Sequence, residues 1–264
     1  MELEGRVAAI SGATGSIGRG IAMRFARAGA ELALIDDDAA EGAALARKIA
    51  TTGGKCRFIQ ADFAARGEAQ RAIDEAAAAC GRLDILVNSN WIRTPWRPLL
   101  EKDEEDFRAA LEVGLFGALR SMCAAVPHMR KVGGGRIINI AAPYGHTSLL
   151  NIADAVTVGY SLQGLTRAAA AEWGPYQILT NLLVPSLVDI PEFQQYRAQN
   201  PAYVDALIAM MPLRRLGDPI EDIGGAALLL ACDEGCFITG HPIYADGGQF
   251  MHPATFKPPA EQRS

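Results

Sequence analysis

Short apolar runs alternate along the chain with longer stretches in which apolar side chains recur every three or four positions. Runs of the first kind suit strands buried in a sheet, and the second kind suits amphipathic helices. Their alternation predicts repeated βαβ units around a parallel sheet. Strands are predicted at Val7–Ile10, Leu32–Ile35, Cys56–Gln60, Ile85–Val87, Ile137–Ile140, Leu179–Val184 and Pro242–Ala245. Helices are predicted near Ile17–Ala28, Glu41–Thr51, Gly67–Cys80, Glu104–Lys131, Ala155–Trp173 and Glu221–Cys232, with a short pair within Glu192–Met211. No linker, repeat or low-complexity break appears before Met251. Residues 1–250 therefore read as one α/β domain, a Rossmann-like, doubly wound sheet of seven parallel strands. Pro253, Pro258, Pro259 and the polar Glu261-Gln262-Arg263-Ser264 mark residues 251–264 as a C-terminal tail.

Composition narrows the function classes. Half of the 264 residues are apolar, enough for one substantial core. A formal net charge of −5 offers no electrostatic footprint for nucleic acid or an anionic membrane. The opening Met1-Glu2-Leu3-Glu4 is acidic and runs straight into a strand, unlike a signal peptide. The longest apolar stretch, around Ala226–Ala231, is too short to span a bilayer. Of the five cysteines, Cys232 and Cys236 lie four apart, but no histidine pattern accompanies them, so they read as small packed side chains rather than metal ligands. The expectation is a reduced, cytoplasmic protein without a metal.

Ser11-Gly12-Ala13-Thr14-Gly15-Ser16-Ile17-Gly18 follows the first strand and opens the first helix. Gly12, Gly15 and Gly18 allow a tight turn and a close approach of backbone N–H groups to a pyrophosphate. Asp36 ends the second strand, where a carboxylate can accept the ribose hydroxyls of NAD and repel a 2′-phosphate. It reads equally as a solvated member of Asp36-Asp37-Asp38. Asp62 is either an adenine contact or a turn cap.

The chain resembles the short-chain dehydrogenase/reductase family over roughly residues 3 to 250. The resemblance rests on the glycine turn, Gly81-Arg82-Leu83-Asp84-Ile85-Leu86-Val87-Asn88, Gly164-Leu165-Thr166-Arg167, Pro212–Pro219, Phe237-Ile238-Thr239-Gly240 and Ala245-Asp246-Gly247-Gly248. It implies an NAD(P)-dependent oxidoreductase in which Asn, Ser, Tyr and Lys carry the chemistry, with Gly12, Gly15, Gly18, Asp36, Asp62 and Asn88 at the cofactor. All four catalytic places are replaced at intact spacing: Asn by Gly114, Ser by Ala142, Tyr by Ala155 and Lys by Gly159. In the family the Tyr moves the substrate proton, and the Lys one helical turn away brings a phenol of pKa about 10 toward neutrality. Alanine and glycine supply neither proton nor charge.

The resemblance also implies weakened cofactor contacts. Ser16 stands where the usual glycine pattern has Gly, and the family's Asn-Asn-Ala-Gly reads Asn88-Ser89-Asn90-Trp91. Ser186 replaces a Gly, Ile190 replaces the Thr that would hold the nicotinamide amide, and Gly159 cannot reach the nicotinamide ribose. Trp91 and Ile190 are expected to take room from the dinucleotide. Losing two or three polar contacts at about 1–1.5 kcal/mol each weakens binding by roughly 30-fold to 2,000-fold. The expected cofactor is none, or weakly bound NAD.

Tyr160 lies five residues past the Tyr place, about 140° around the helix, and so faces away from the pocket. Tyr144 and His146 remain as substitute acid–base groups. Phe107, Leu111, Leu115, Leu119, Met122 and Val126 form a stripe at helical spacing, either for a partner or for the chain's own sheet. The reading that follows is an inactive subunit, similar to the non-catalytic partner of heterotetrameric short-chain dehydrogenases, which assembles with an active NAD-dependent paralogue. Two others stay open: an active alcohol dehydrogenase or ketoreductase with non-standard groups, and a non-redox ligand-binding protein, lyase or isomerase.

Overall fold

The computed structural model describes residues 1–91, 95–141 and 151–250. Seven strands form one parallel sheet in the order β3-β2-β1-β4-β5-β6-β7: β1 Val7–Ser11, β2 Glu31–Asp36, β3 Cys56–Gln60, β4 Ile85–Asn88, β5 Gly135–Ile140, β6 Ile178–Pro185 and β7 Pro242–Ala245. The chain winds outward from β1 to β3, then returns to lay β4 on the other side of β1. Ser11 accordingly pairs with Ile35 on one side and Asn88 on the other. In open α/β sheets the crevice above this reversal is where ligands bind.

The alternation of side chains along each strand builds two cores. Ala8, Ile10, Leu32 and Leu34 face helices α1 (Ser16–Arg27) and α9 (Gly224–Ala231), where Ile21 and Phe25 are fully buried. Val7, Ala9, Ala33 and Ile35 face α3 (Glu68–Cys80) and a helix that carries Met122, Ala125 and Met129. Helix α2 (Ala39–Thr51) starts on Asp38, whose carboxylate accepts from the Glu41 N–H.

The run 104–131, predicted as one helix, is α4 (Glu104–Leu111), a single wide π-helical turn (Glu112–Phe116) and α5 (Gly117–Lys131). By length and composition Glu104–Lys131 is apolar enough to cross a membrane, which corrects the reading that no longer apolar stretch exists. Its inward residues Ala118, Met122, Ala125 and Met129 are buried in this domain. Of the predicted stripe only Met122 is buried, and Phe107, Leu111, Leu115, Leu119 and Val126 are half-exposed. Helix α6 (Ala153–Trp173) and the short pair α7 (Pro191–Gln199) and α8 (Pro201–Met210) complete the fold. The tail 251–264 lies outside the described residues.

Candidate active site

The loops that follow β1 to β6 enclose a cavity of about 460 Å³. Sheet order divides its lining. Over β1 to β3 stand Gly12, Thr14, Gly15, Ser16, Gly18, Asp36, Asp37 and Asp62; over β4 to β6 stand Trp91, Ile140, Ala141 and Ile190, joined by Val113.

Two glycines make the turn possible. Gly12 has φ +65°, and a Cβ there would collide with the Ser89 carbonyl oxygen; a Cβ on Gly18 would collide with the Gly12 carbonyl oxygen. Gly15 is different: nothing crowds it closer than 3.4 Å, and it borders the cavity. It is also the N-cap of α1 and, having no side chain, places no cap over the backbone N–H groups of the first helical turn, the kind of group that receives a pyrophosphate.

Both readings of Asp36 hold at once. It borders the cavity, and its carboxylate accepts the Thr14 N–H at 2.9 Å and the Asp37 N–H at 3.0 Å, tying the end of β2 to the glycine turn. A hydrogen bond with Asp36, then burial, then the charge of Asp36 hold the Asp37 carboxyl above the usual carboxylate range. Asp62 borders the cavity and also caps its own turn through the Ala64 N–H at 2.8 Å. Three carboxylates thus guard the β2–β3 side.

Trp91 does not fill the cleft. It borders a cavity of this size and is 38% exposed, so the expected loss of room is corrected. Ile190 does line the cavity. The side chain of Asn88 is engaged elsewhere: its amide donates to Asn139 Oδ1 at 2.8 Å, and its oxygen accepts from Ser121 Oγ at 2.7 Å. Asn139 in turn donates to Thr166 Oγ1 at 2.9 Å, so this buried network ties β4 and β5 to α5 and α6. Ser89 and Asn90, not the Asn88 side chain, border the cavity.

The places without catalytic side chains are brought together by the fold. Gly114 is buried in the π-helical turn, and Ala155 and Gly159 are buried in α6. The Cγ1 of Val158 lies 2.6 Å from where a Cβ on Gly114 would stand. Tyr160 is 56% exposed, on another face of α6, and its neighbourhood includes Tyr244. Ala142, Tyr144 and His146 lie outside the described residues.

One charged pair escaped the sequence reading. Lys102 Nζ lies 2.9 Å from Asp154 Oδ1, with both side chains almost wholly buried, and also donates to the Pro95 carbonyl at 3.0 Å. Asp154 directly precedes Ala155. Arg97 reaches Asp106 at 2.6 Å, and its backbone N–H donates to the Asn151 carbonyl. The segment from Pro95 to Lys102 is thereby fastened to the starts of both α4 and α6.

A family described as Enoyl-(Acyl carrier protein) reductase matches residues 12–249. Oxidoreductase UcpA of Salmonella typhimurium is 34% identical over 95% of this chain and 96% of its own. D-threitol dehydrogenase of Mycolicibacterium smegmatis is 33% identical over 93% of each. A Burkholderia cenocepacia gluconate 5-dehydrogenase, solved in complex with NADP and tartrate, superposes with a TM-score of 0.87 at 31% identity, covering 95% of this chain and 97% of that one. The chain belongs to the short-chain dehydrogenase/reductase family, a family of oxidoreductases built on this Rossmann-like sheet. Within it, this chain has a cleft at the end of the sheet where relatives hold a nucleotide, and Gly114, Ala155 and Gly159 stand where the resemblance places Asn, Tyr and Lys.

Proposed function

We propose that this chain is a catalytically inactive short-chain dehydrogenase-like subunit that assembles with, and supports, an active NAD-dependent hydroxyacyl-CoA or alcohol dehydrogenase paralogue in a hetero-oligomer, a tetramer by analogy with such pairs. The packing of Val158 onto Gly114 carries this reading: the space for the family's Asn is taken by a neighbouring side chain as well as lost from the sequence. With Ala155 and Gly159 in α6, no described side chain at these places can exchange a proton with a substrate hydroxyl. The pattern of losses resembles the silent subunit of the hydroxybenzylsuccinyl-CoA dehydrogenase of anaerobic toluene breakdown. NAD binding is weak, since Ile190 and Gly159 offer the nicotinamide end no hydrogen-bonding side chain. The partly exposed Leu111 and Leu119, on α4 and α5, supply apolar surface for the partner, while Leu115 and Val126 pack against the chain's own core.

A second reading has its own support. The relative from Mycolicibacterium smegmatis is a dehydrogenase by name, and the cavity is retained, which favours an active enzyme using Tyr144 or His146. Co-expression with a genomically adjacent dehydrogenase separates the two. The first reading requires stable co-purification and activity in the complex alone, whereas turnover by the isolated chain supports the second.

A further inference from the structure

The two sides of the cavity differ in chemistry, and the difference has a consequence for what the chain binds. The family's dinucleotide has an adenosine diphosphate half and a nicotinamide half, and among the described residues the side-chain chemistry suits only the first. On the β1–β3 side the turn is as tight as glycine allows, Gly15 leaves room beside uncapped backbone N–H groups, and Asp36 and Asp62 place acceptors beside it. On the β4–β6 side the described lining is Ser89, Trp91, Val113, Ile140, Ala141 and Ile190, with the Ser89 hydroxyl at the edge nearest the glycine turn and the indole N–H as the only other side-chain hydrogen-bonding group among them. Between the two sides, Asn90 donates one amide N–H to Ser11 Oγ at 2.7 Å, which ties it to the glycine-turn side. Behind this side, Val158 closes onto Gly114 and Gly159 takes the place of the Lys.

We infer that the cleft is a non-catalytic site for the ADP-ribose moiety, to which a nicotinamide ring adds nothing. A dinucleotide is then held by one end, and its oxidised and reduced forms bind alike, so occupancy follows the concentration of adenine nucleotide and is blind to redox state. The acid group at Asp36, Asp37 and Asp62 rejects a ribose 2′-phosphate by like charge. Bound this way, the ligand joins the glycine turn to β2 and β3. The inference rests on the proposal of an inactive subunit for the loss of the nicotinamide side. The two fail differently: turnover by the isolated chain removes that proposal, whereas the order of affinities decides this one.

The test is isothermal titration of the full chain with ADP-ribose, NAD, NADH, NADP and nicotinamide mononucleotide. The expected result is that ADP-ribose, NAD and NADH bind within threefold of one another, NADP binds at least tenfold more weakly, and the mononucleotide shows no heat. Asp36→Ala should weaken ADP-ribose by about tenfold, in line with the loss of a charge-assisted hydrogen bond, while Ile190→Ala leaves it within twofold. NAD binding more than threefold tighter than ADP-ribose would overturn the inference, and so would an absence of ADP-ribose binding up to millimolar concentration. A folded Asp36→Ala chain, checked by circular dichroism, that keeps full ADP-ribose affinity would overturn it as well.

Discussion

Val158 packs into the space that a side chain on Gly114 would need. A Cβ built on Gly114 lies 2.6 Å from Val158 Cγ1, and both residues belong to elements that carry the family's catalytic groups. Valine is stiff about χ1, so it cannot swing aside cheaply. Where the resemblance places an Asn for a proton relay, the Val158 side chain occupies the space.

Reversal therefore has to begin with Val158. Gly114→Asn alone should lower stability by about 1–3 kcal/mol, the usual cost of overpacking a core, and adding Val158→Ala should recover at least half of that in urea unfolding. Restoring Ala142→Ser, Ala155→Tyr and Gly159→Lys together should leave the chain folded and nearly inactive, because the Asn place stays blocked and the nicotinamide contacts stay missing. Robust NAD-dependent activity in that triple variant would show that only the catalytic groups had been lost.

The buried pair Lys102–Asp154 gives a second expectation. Lys102→Met removes an ion pair from a carboxylate that is 1% exposed, and losing one partner of a buried pair typically costs about 3–5 kcal/mol. Replacing both, Lys102→Met with Asp154→Leu, should restore most of the stability, since two apolar groups need no charge partner. Chemical denaturation of the three proteins measures this. Equal losses in the single and double variants would mean that the pair does not couple the loop to α6.

Much of the fold was legible because buried strands of a parallel sheet are written as contiguous apolar runs. All seven were located, and Cys56–Gln60 and Pro242–Ala245 agree at both ends. The π-helical turn at Glu112–Phe116 was not legible, since one extra residue in a turn leaves the apolar spacing almost unchanged. Asn88 was read as a cofactor contact from its motif, yet its partners Asn139 and Ser121 come from β5 and α5, which no local pattern brings to it. Lys102 and Asp154 are far apart in sequence, and each alone reads as an ordinary surface charge. Trp91 was judged by its size, whereas the path of the chain decides where its ring goes.

The carboxylates at the cleft predict a pH effect with a definite sign. Asp37 is raised above its ordinary value of 3.8, first by its hydrogen bond with Asp36, then by burial and by the charge of Asp36. The folded chain thus holds this proton at pH values where the unfolded chain releases it. Its contribution to stability is complete below pH 3.8 and is lost as pH rises through the higher folded value. At neutral pH Asp37 is therefore a burden. Asp37→Asn should raise stability there by on the order of a few tenths of a kcal/mol, since solvent screens an exposed group. Urea midpoints of both proteins at pH 7 check the gain, and a lower midpoint for Asp37→Asn would contradict it.

The central claim is that this chain does no redox chemistry of its own. The most direct measurement follows NADH formation and consumption by the purified isolated chain over a panel of hydroxyacyl-CoA, secondary alcohol and ketone substrates, beside the product of co-expression with a genomically adjacent dehydrogenase. The account predicts turnover by the complex and none by the isolated chain. Turnover by the isolated chain, abolished by Tyr144→Phe or His146→Ala, would contradict it.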